Sequence, residues 1–179
     1  MAKIIQIDWK KEELEQAIEE TSVLRHEAKV VSKSEFGKIE LKKILEDMKD
    51  LMEKEKDGVA IAAPQIGISK RIFVVKEEAY KVNNKDSKWK PLIFINPKII
   101  KASKKMIDAE EGCLSVRPLY GTTTRHLSVT IEAQDFNGVK FTFGASNLIA
   151  QIFQHECEHL DGILFIDHAD NIEEIYFDK

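Results

Sequence analysis

The sequence predicts an α+β fold in which mainly antiparallel sheets pack around one central helix. Three observations lead to this fold class. A helical pattern covers residues 38–55, strand-like segments follow between residues 71 and 143, and a further helix is indicated from about Ser146 to Leu160. A helix, a run of strands and a late helix, in this order, are typical of α+β chains with antiparallel pairing.

Length and composition are those of a compact globular chain. It has 179 residues, of which 43% are hydrophobic and 32% charged, so we expect a single domain over residues 1–179 with its own core. A charged lead-in is expected over residues 1–22 and a short acidic tail over residues 168–179. Within the lead-in, Glu12 to Glu20 could form a short helix.

Charge and hydropathy argue against two classes of partner. The net charge is −4 at pH 7, which gives no electrostatic reason to expect nucleic-acid binding. No apolar stretch has the length of a signal-peptide core or a membrane span, so we expect a cytoplasmic protein without membrane contact, and a monomer. The two cysteines, Cys113 and Cys157, are too few for a disulfide framework.

The first helix follows from the spacing of its apolar side chains. They recur at helical intervals with acidic and basic residues between them, and they are Leu41, Ile44, Leu45, Met48, Leu51 and Met52. Gly58 ends this pattern. Residues 71–75 and 92–96 are expected to be strands, and the polar residues 77–90 between them a loop.

The clearest strand signal lies in residues 127–134, where Leu, Val, Ile and Ala alternate with polar side chains. Asn137-Gly138 predicts a hairpin turn, and residues 139–143 predict the returning strand. Ser146 is then the expected N-cap of the late helix. Asp161-Gly162 is expected to end that helix.

The late helix carries a pattern that suggests metal chemistry. His155 and His159 are four residues apart, so both rings project from one helix face and can bind one metal ion. Glu156 is adjacent to His155 and is the candidate general base. The alternative is a surface helix that carries these residues by chance, but the apolar residues before the motif favour a buried face.

Two histidines leave a third protein ligand to be found. The pattern HExxHxxGxxH is followed as far as Gly162, but Phe165 occupies the last histidine position. Glu173 and Glu174 are acidic candidates in the polar tail. Cys113 is preferred, because a thiolate is a strong ligand for zinc or iron(II) and its neighbours are polar and glycine-rich. The alternative for Cys113 is a small buried side chain.

Three segments together resemble the signature motifs of the peptide deformylases, in the order that this family has. Residues 58–65 read Gly-Val-Ala-Ile-Ala-Ala-Pro-Gln, residues 111–115 read Glu-Gly-Cys-Leu-Ser, and residues 155–159 read His-Glu-Cys-Glu-His. The resemblance extends from about Val23 to about Asp167. It implies removal of the formyl group from N-terminal formylmethionine, with nascent peptides as partners and a transient contact with the ribosome possible.

The resemblance also implies roles for particular residues. Cys113, His155 and His159 would hold one divalent metal ion, usually Fe²⁺, with Zn²⁺, Ni²⁺ or Co²⁺ able to take the same ligands. Glu156 would be the catalytic base. The side-chain amide of Gln65 and the backbone N–H of Leu114 would donate hydrogen bonds to the oxyanion.

Further residues are assigned to the cleft and to its support. Gly58, Val59, Ala60, Leu148 and Ile152 are the candidates for substrate binding, although each apolar side chain among them is equally explained as core. The resemblance also predicts an ion pair between Glu111 and Arg125 that supports the site, with Glu158 as a further acid near the ligands. Cys157 faces away from the two histidines and is expected to be a buried thiol.

The chain departs from the family pattern at three positions. Ala60 stands where the family normally has glycine, and Glu158 stands where it has aspartate. Arg117 stands where proline is more frequent. None of these positions is a predicted ligand, base or oxyanion donor, so we expect catalysis to persist. Two alternatives remain: an HExxH metallopeptidase with another third ligand, and a weakly active relative that binds N-terminal peptides.

Overall fold

The computed structural model of the protein describes residues 2–7, 22–81 and 92–176. The helices are α1 (Ile39–Lys54), α2 (Glu77–Lys81) and α3 (Leu148–Leu160). The strands are β1 (Ala60–Ala62), β2 (Ile72–Val75), β3 (Ile93–Ala102), β4 (Met106–Gly112), β5 (Leu119–His126), β6 (Ser128–Gln134), β7 (Lys140–Ser146) and β8 (Asp170–Glu174). Short 3₁₀ helices cover Ser22–Arg25, Ala63–Ile66 and Phe165–Asp167.

Two antiparallel sheets form the framework. The first has five strands in the order β1-β2-β3-β6-β7, and the second has three in the order β4-β5-β8. Each pairing between neighbouring strands is antiparallel. The predicted α+β class with mainly antiparallel sheets is therefore confirmed.

Helix α1 covers one face of the five-stranded sheet. Leu41, Leu45, Met48 and Met52 are its buried residues, and they pack with apolar side chains of the sheet that include Ile61. The opposite side of α1 carries the charged residues, as the spacing predicted. Helix α3 packs against strands of both sheets, and its Phe153 ring lies 4.8 Å, centroid to centroid, from that of Phe94 in β3.

Three local expectations are corrected or fall outside the described residues. Residues 77–81, expected to be loop, form helix α2, because Ala79 and Tyr80 turn an apolar side into the core. Ser146 is not the N-cap of α3: it pairs with Ser128 in the sheet, and Asn147 precedes the helix. The short helix considered over Glu12 to Glu20 lies outside the described residues.

The acidic tail contains a strand that the sequence did not indicate. Residues 170–174 form β8 along β5. All five residues are exposed, so the tail has no alternation of buried and exposed positions by which it could be recognised. Among the described helices, none is long and apolar enough to cross a membrane.

Candidate metal centre and active site

Cys113, His155 and His159 are brought together from distant parts of the chain. One ligand atom from each can be chosen so that all three lie within 4.8 Å of one another. Cys113 Sγ lies 3.2 Å from His159 Nε2. The three predicted ligands therefore converge, and their chemistry (one thiol and two imidazoles) suits a transition metal or zinc.

The local structure explains this convergence. The two histidines stand one turn apart on α3, with ring centroids 4.9 Å apart, as the four-residue spacing requires. Cys113 directly follows the end of β4, in a turn whose Val116 N–H donates to the Cys113 carbonyl oxygen. The buried apolar face of α3 fixes the position of the two histidines. Strand β4 of the three-stranded sheet ends next to them and places the Cys113 thiol there.

A charged network orients His155. Its Nδ1 lies 3.0 Å from Glu111 Oε2, which directs the other ring nitrogen, Nε2, towards the cysteine and leaves it free to bind a metal. The Arg125 guanidinium contacts the same carboxylate through two hydrogen bonds of 2.8 Å. The predicted Glu111–Arg125 pair is thus present, and both side chains are almost completely buried.

The charges in this network shift the pKa values of its members. Burial alone would raise the pKa of Glu111, but hydrogen bonds from Arg125 and His155 hold that pKa well below its ordinary range. Burial would lower the pKa of His155, whereas its contacts with Cys113 and Glu111 raise that pKa well above 6.5. The same negative neighbours would stabilise a metal cation at His155 in place of a proton. For His159, burial and then the charge of His155 lower the pKa, which favours the neutral form that binds metals.

Glu156 has a buried carboxylate oxygen that needs a partner. The residue is 4% exposed, and its Oε2 accepts no hydrogen bond within the part of the chain that is described. Burial raises the pKa of this carboxyl to about 7. A buried polar atom without a partner is costly, so the group fits a site that receives a water molecule or substrate beside a metal ion.

Gln65 and Ser115 surround the thiol. The Gln65 side chain accepts a hydrogen bond of 2.8 Å from the Ala62 N–H, so its Nε2 is turned towards Cys113 Sγ at 3.5 Å. The Ser115 N–H donates to the same sulfur at 3.4 Å. Ser115 was not singled out from the sequence, although it is the last residue of the motif at 111–115.

A cleft opens onto these groups. Its lining includes the predicted substrate-binding residues and the predicted oxyanion donors. It also includes residues to which the sequence analysis gave no role in the site, namely Asp57, Glu110, Gly112, Arg117, Tyr120 and Gln151. Close packing accounts for Gly58: a Cβ there would lie 2.9 Å from Leu114 Cδ1. A larger residue at position 58 would therefore displace the Leu114 side chain.

The three departures from the family pattern lie at or near the cleft. Glu158 accepts hydrogen bonds from both terminal nitrogens of Arg125, and its Oε2 lies 3.1 Å from His168 Nε2. Arg117 pairs with Glu55 at 2.7 Å and Asp57 at 2.5 Å. Ala60 is a buried cleft-lining residue of β1.

Other candidates from the sequence do not join the ligand group. Glu173 and Glu174 lie on the exposed strand β8, and Phe165 is buried in the apolar cluster that contains Cys113. Cys157 is buried and is not part of the group of potential ligands. Burial raises the pKa of its thiol to about 12, and the expected buried thiol is confirmed.

An antiparallel α+β fold with a Cys–His–His group and a buried glutamate in one cleft is that of a metal-dependent hydrolase. The sequence model of the polypeptide deformylases matches residues 13–174. The chain belongs to the polypeptide deformylase family, and the predictions of this family and of a peptide deformylase are confirmed.

Curated relatives agree with this assignment. A peptide deformylase of Microchaete diplosiphon is 40% identical over 149 residues, which cover 83% of this chain and 75% of that protein. A peptide deformylase of Symbiobacterium thermophilum is 38% identical over 162 residues, or 90% of this chain and 69% of that protein. The chloroplastic peptide deformylase 1B of Solanum lycopersicum is 37% identical, and the match spans 43% of its length.

Solved structures show the same fold. A peptide deformylase from Synechococcus elongatus in complex with actinonin superposes with a TM-score of 0.76 and 31% identity, covering 95% of this chain and 79% of that one. A peptide deformylase from Legionella pneumophila gives 0.75 and 32%, covering 96% and 87%.

Proposed function

We propose that this protein hydrolyses the N-formyl group of formylmethionyl peptides, releasing formate and a free N-terminal amine. The observation that carries the proposal is the buried Oε2 of Glu156, which has no hydrogen-bond partner among the described residues. Glu156 lies on the same helix as two of the three converging ligands and lines the cleft. An acid in this position can move the proton that amide hydrolysis requires.

The metal would be held by Cys113, His155 and His159, which makes α3 the central metal-binding helix. We expect one divalent ion per chain, Fe²⁺ first, with Zn²⁺, Ni²⁺ or Co²⁺ as alternatives for the same donors. When bound, such an ion lowers the pKa of a water molecule and polarises a carbonyl. The hydrogen bond from His155 Nδ1 to Glu111 leaves the other ring nitrogen available for this purpose.

Glu156 would transfer the proton between the two halves of the reaction. Attack of water on the formyl carbon forms a new C–O bond, and the carboxylate accepts the proton that the water loses. The C–N bond then breaks, and Glu156 returns the proton to the leaving nitrogen. A pKa raised by burial suits both steps, because the group can accept and release a proton near neutral pH.

Gln65 and Leu114 would stabilise the negative charge that develops on the formyl oxygen. The Gln65 amide is held through its own carbonyl by the Ala62 N–H, so its Nε2 is already oriented. The Leu114 N–H belongs to the residue next to Cys113, and both residues line the cleft. Donors that are fixed before the reaction gain most from charge that appears only in the transition state.

Two sheet edges give the cleft a means to hold an extended peptide. Among the described strands, β1 is an edge strand of the five-stranded sheet and β4 is an edge strand of the three-stranded sheet. Residues of both strands, including Ala60 and Glu110, line the cleft. Unpaired edge groups can bind the backbone of a peptide by strand addition, which suits nascent chains of any sequence after the methionine.

The methionine side chain would lie among Val59, Leu148 and Ile152, with Gly58 and Ala60 along the substrate backbone. Val59 is 38% exposed beside the cleft, which favours a role in binding over a role as core. The two residues of α3 stand one turn apart, so together they present one apolar wall. Glu111, Arg125 and Glu158 would support the site without touching the substrate.

The cellular setting completes the proposal. Nascent formylmethionyl peptides would be the partners, with a transient contact at the ribosome. We expect a cytoplasmic monomer that forms one domain over residues 1–179. Neither nucleic acid nor membrane is an expected partner.

Formate release from formyl-Met-Ala-Ser by iron-loaded protein, prepared without oxygen, tests the activity. We expect turnover with the formylated peptide and none with acetyl-Met-Ala-Ser, because the acetyl group adds a methyl at the reacting carbon. Cleavage of an internal peptide bond instead of formate release would favour a metallopeptidase. Binding of the formylated peptide without turnover would favour the weakly active relative.

A further inference from the structure

The N-terminal segment, residues 4–7, contacts the backbone next to both candidate oxyanion donors. The Ile5 N–H donates a hydrogen bond of 2.8 Å to the Gln65 carbonyl oxygen, and the Ile7 N–H donates one of 2.8 Å to the Ser115 carbonyl oxygen. Between them, the Gln6 side-chain amide donates a bond of 2.6 Å to the Leu114 carbonyl oxygen. Three consecutive residues therefore join two segments that are far apart in sequence.

Apolar side chains fix this segment on both sides. Ile4 packs against the cluster under α1, and Ile7 packs against the cluster that contains Cys113, Val116 and Phe165. The isoleucines anchor the segment. Gln6 is exposed, and its side-chain amide donates a hydrogen bond to the Leu114 carbonyl oxygen. Loss of the Gln6 amide should consequently leave the anchors and the fold in place.

The N-terminal segment adds a second link between two donors that belong to different sheets, beside the contacts of the Gln65 amide with Cys113 and Ser115. Gln65 lies in the 3₁₀ helix that follows β1 of the five-stranded sheet, and Leu114 follows β4 of the three-stranded sheet. An oxyanion is stabilised by both donors only when their separation and direction are fixed. A hydrogen bond to the Leu114 carbonyl restrains the peptide plane between Leu114 and Ser115. Only the φ and ψ rotations of Leu114 separate this plane from the one that carries the Leu114 N–H.

We infer that Gln6 is a positioning residue for the deformylase reaction, and that residues 4–7 hold the Leu114 N–H in register with the Gln65 amide. The inference rests on the oxyanion roles proposed above. It predicts an effect on the transition state without a matching effect on substrate binding, because Gln6 acts through Leu114 and through no contact with the peptide.

The variant Gln6→Met tests the role, since it keeps the length of the side chain and removes the donor. We expect kcat to fall by about tenfold, with KM within about twofold and the absorption spectrum of the cobalt-loaded protein unchanged. The matched control is Gln134→Met, which removes a 3.1 Å bond from another glutamine side chain to the Gly138 carbonyl oxygen in the β6–β7 hairpin. It also removes a 2.9 Å bond that the Gln134 side-chain oxygen accepts from Asn96 Nδ2, so it is at least as disruptive as Gln6→Met. This control should retain the kcat of the unmodified protein.

Equal kcat values for the two variants, whether unchanged or equally reduced, would overturn the inference. An altered cobalt spectrum in Gln6→Met would also overturn it. A second measurement does not depend on turnover. In zinc-loaded, ¹⁵N-labelled protein, Gln6→Met should shift the Leu114 amide signal and speed its hydrogen exchange, and Gln134→Met should do neither. An unchanged Leu114 signal would refute the role of Gln6, whether or not the protein releases formate. Absence of formate release from the unmodified protein would instead refute the proposed function.

Discussion

Glu111 and His155 are joined by a hydrogen bond of 3.0 Å between the carboxylate Oε2 and the ring Nδ1. This contact fixes which ring nitrogen is available to a metal, and Arg125 fixes the carboxylate in turn. The orientation of one proposed ligand therefore depends on a buried acid and a buried arginine.

The variant Glu111→Gln tests that dependence. An amide can still accept a hydrogen bond from His155, but it loses the charge that favours a cation and leaves Arg125 with one carboxylate fewer. We expect metal affinity to fall by about tenfold to 100-fold, as measured by competition with a chelator. Glu132→Gln, at an exposed pair with Lys140, is the control that should bind metal normally. Unchanged affinity in Glu111→Gln would show that the network does not support the ligand.

Glu158 is expected to stabilise the fold through Arg125. The arginine side chain is 4% exposed, and the Glu158 side chain is 24% exposed, so Glu158→Ala would leave part of a buried cation without its partner. We expect unfolding free energy to fall by about 1–3 kcal/mol, as measured by urea denaturation of the metal-free protein. Glu158→Asp should lose less, because a shorter acid can still approach Arg125 while it withdraws from His168. Equal losses in the two variants would show that the charge at position 158 is not what matters.

Cys113→Ser separates the deformylase assignment from an HExxH metallopeptidase with another third ligand. A serine hydroxyl is a poor ligand near neutral pH, so metal binding and formate release should both fall by more than about 100-fold. The control is Cys157→Ala, which removes the other buried thiol. Cys157 is not among the potential metal ligands, so this variant should keep both metal binding and formate release. Retained metal together with unchanged turnover in Cys113→Ser would contradict the assignment.

A partly exposed acid, Glu35, gives a prediction for stability against pH. Hydrogen bonds from Lys70, then from the backbone and side chain of Ser32, lower the pKa of Glu35 from 4.5 to about 2. Because the folded pKa lies below the unfolded one, this stabilisation is present above pH 4.5 and is lost as pH falls towards 2. Glu35→Gln should therefore lower the free energy of unfolding more at pH 6 than at pH 3, by about 1 kcal/mol or less for so exposed a pair.

Urea denaturation at both pH values measures this difference. In a Lys70→Met background the pH dependence of the Glu35→Gln effect should shrink, since the largest cause of the low pKa is removed. An effect that is the same at pH 6 and pH 3 would contradict the prediction.

The sequence predicted elements in which apolar residues repeat along the chain. Strand β5 was not predicted, although its burial alternates, because glycine, threonine and arginine occupy most of its buried positions. Helix α1 and strands β6 and β7 each have one buried face, so their apolar residues recur at the period of the structure. Strand β8 is exposed throughout, and helix α2 is five residues long. Neither offers a periodic pattern, and they were missed for that reason.

The candidate site was predictable to the extent that it lies within contiguous motifs. His155, Glu156 and His159 follow from helical spacing, and Cys113 from its polar neighbours and the family resemblance. Arg117 and Tyr120 reach the cleft only because the turn after β4 and strand β5 fold back beside it. Gln6 and Leu114 are 108 residues apart in the sequence, and only the tertiary structure brings them into contact. No local sequence pattern could reveal this hydrogen bond.

Ala60 is the departure that bears most directly on substrate range. It lies on the edge strand β1, is 8% exposed and lines the cleft, so its methyl group takes space beside an extended peptide. Ala60→Gly should lower KM by about threefold for formyl-Met peptides with a bulky second residue, and should leave KM for formyl-Met-Ala-Ser nearly unchanged. Ala62→Gly is a matched control on the same strand, because Ala62 is fully buried and is not among the residues lining the cleft. Both variants should lose about 0.5–1 kcal/mol of stability from the added backbone freedom. A change in KM that depends on the second residue of the peptide, and that occurs only in Ala60→Gly, would show that this methyl group narrows the cleft. Parallel changes of KM in the two variants would attribute the effect to the flexibility of β1.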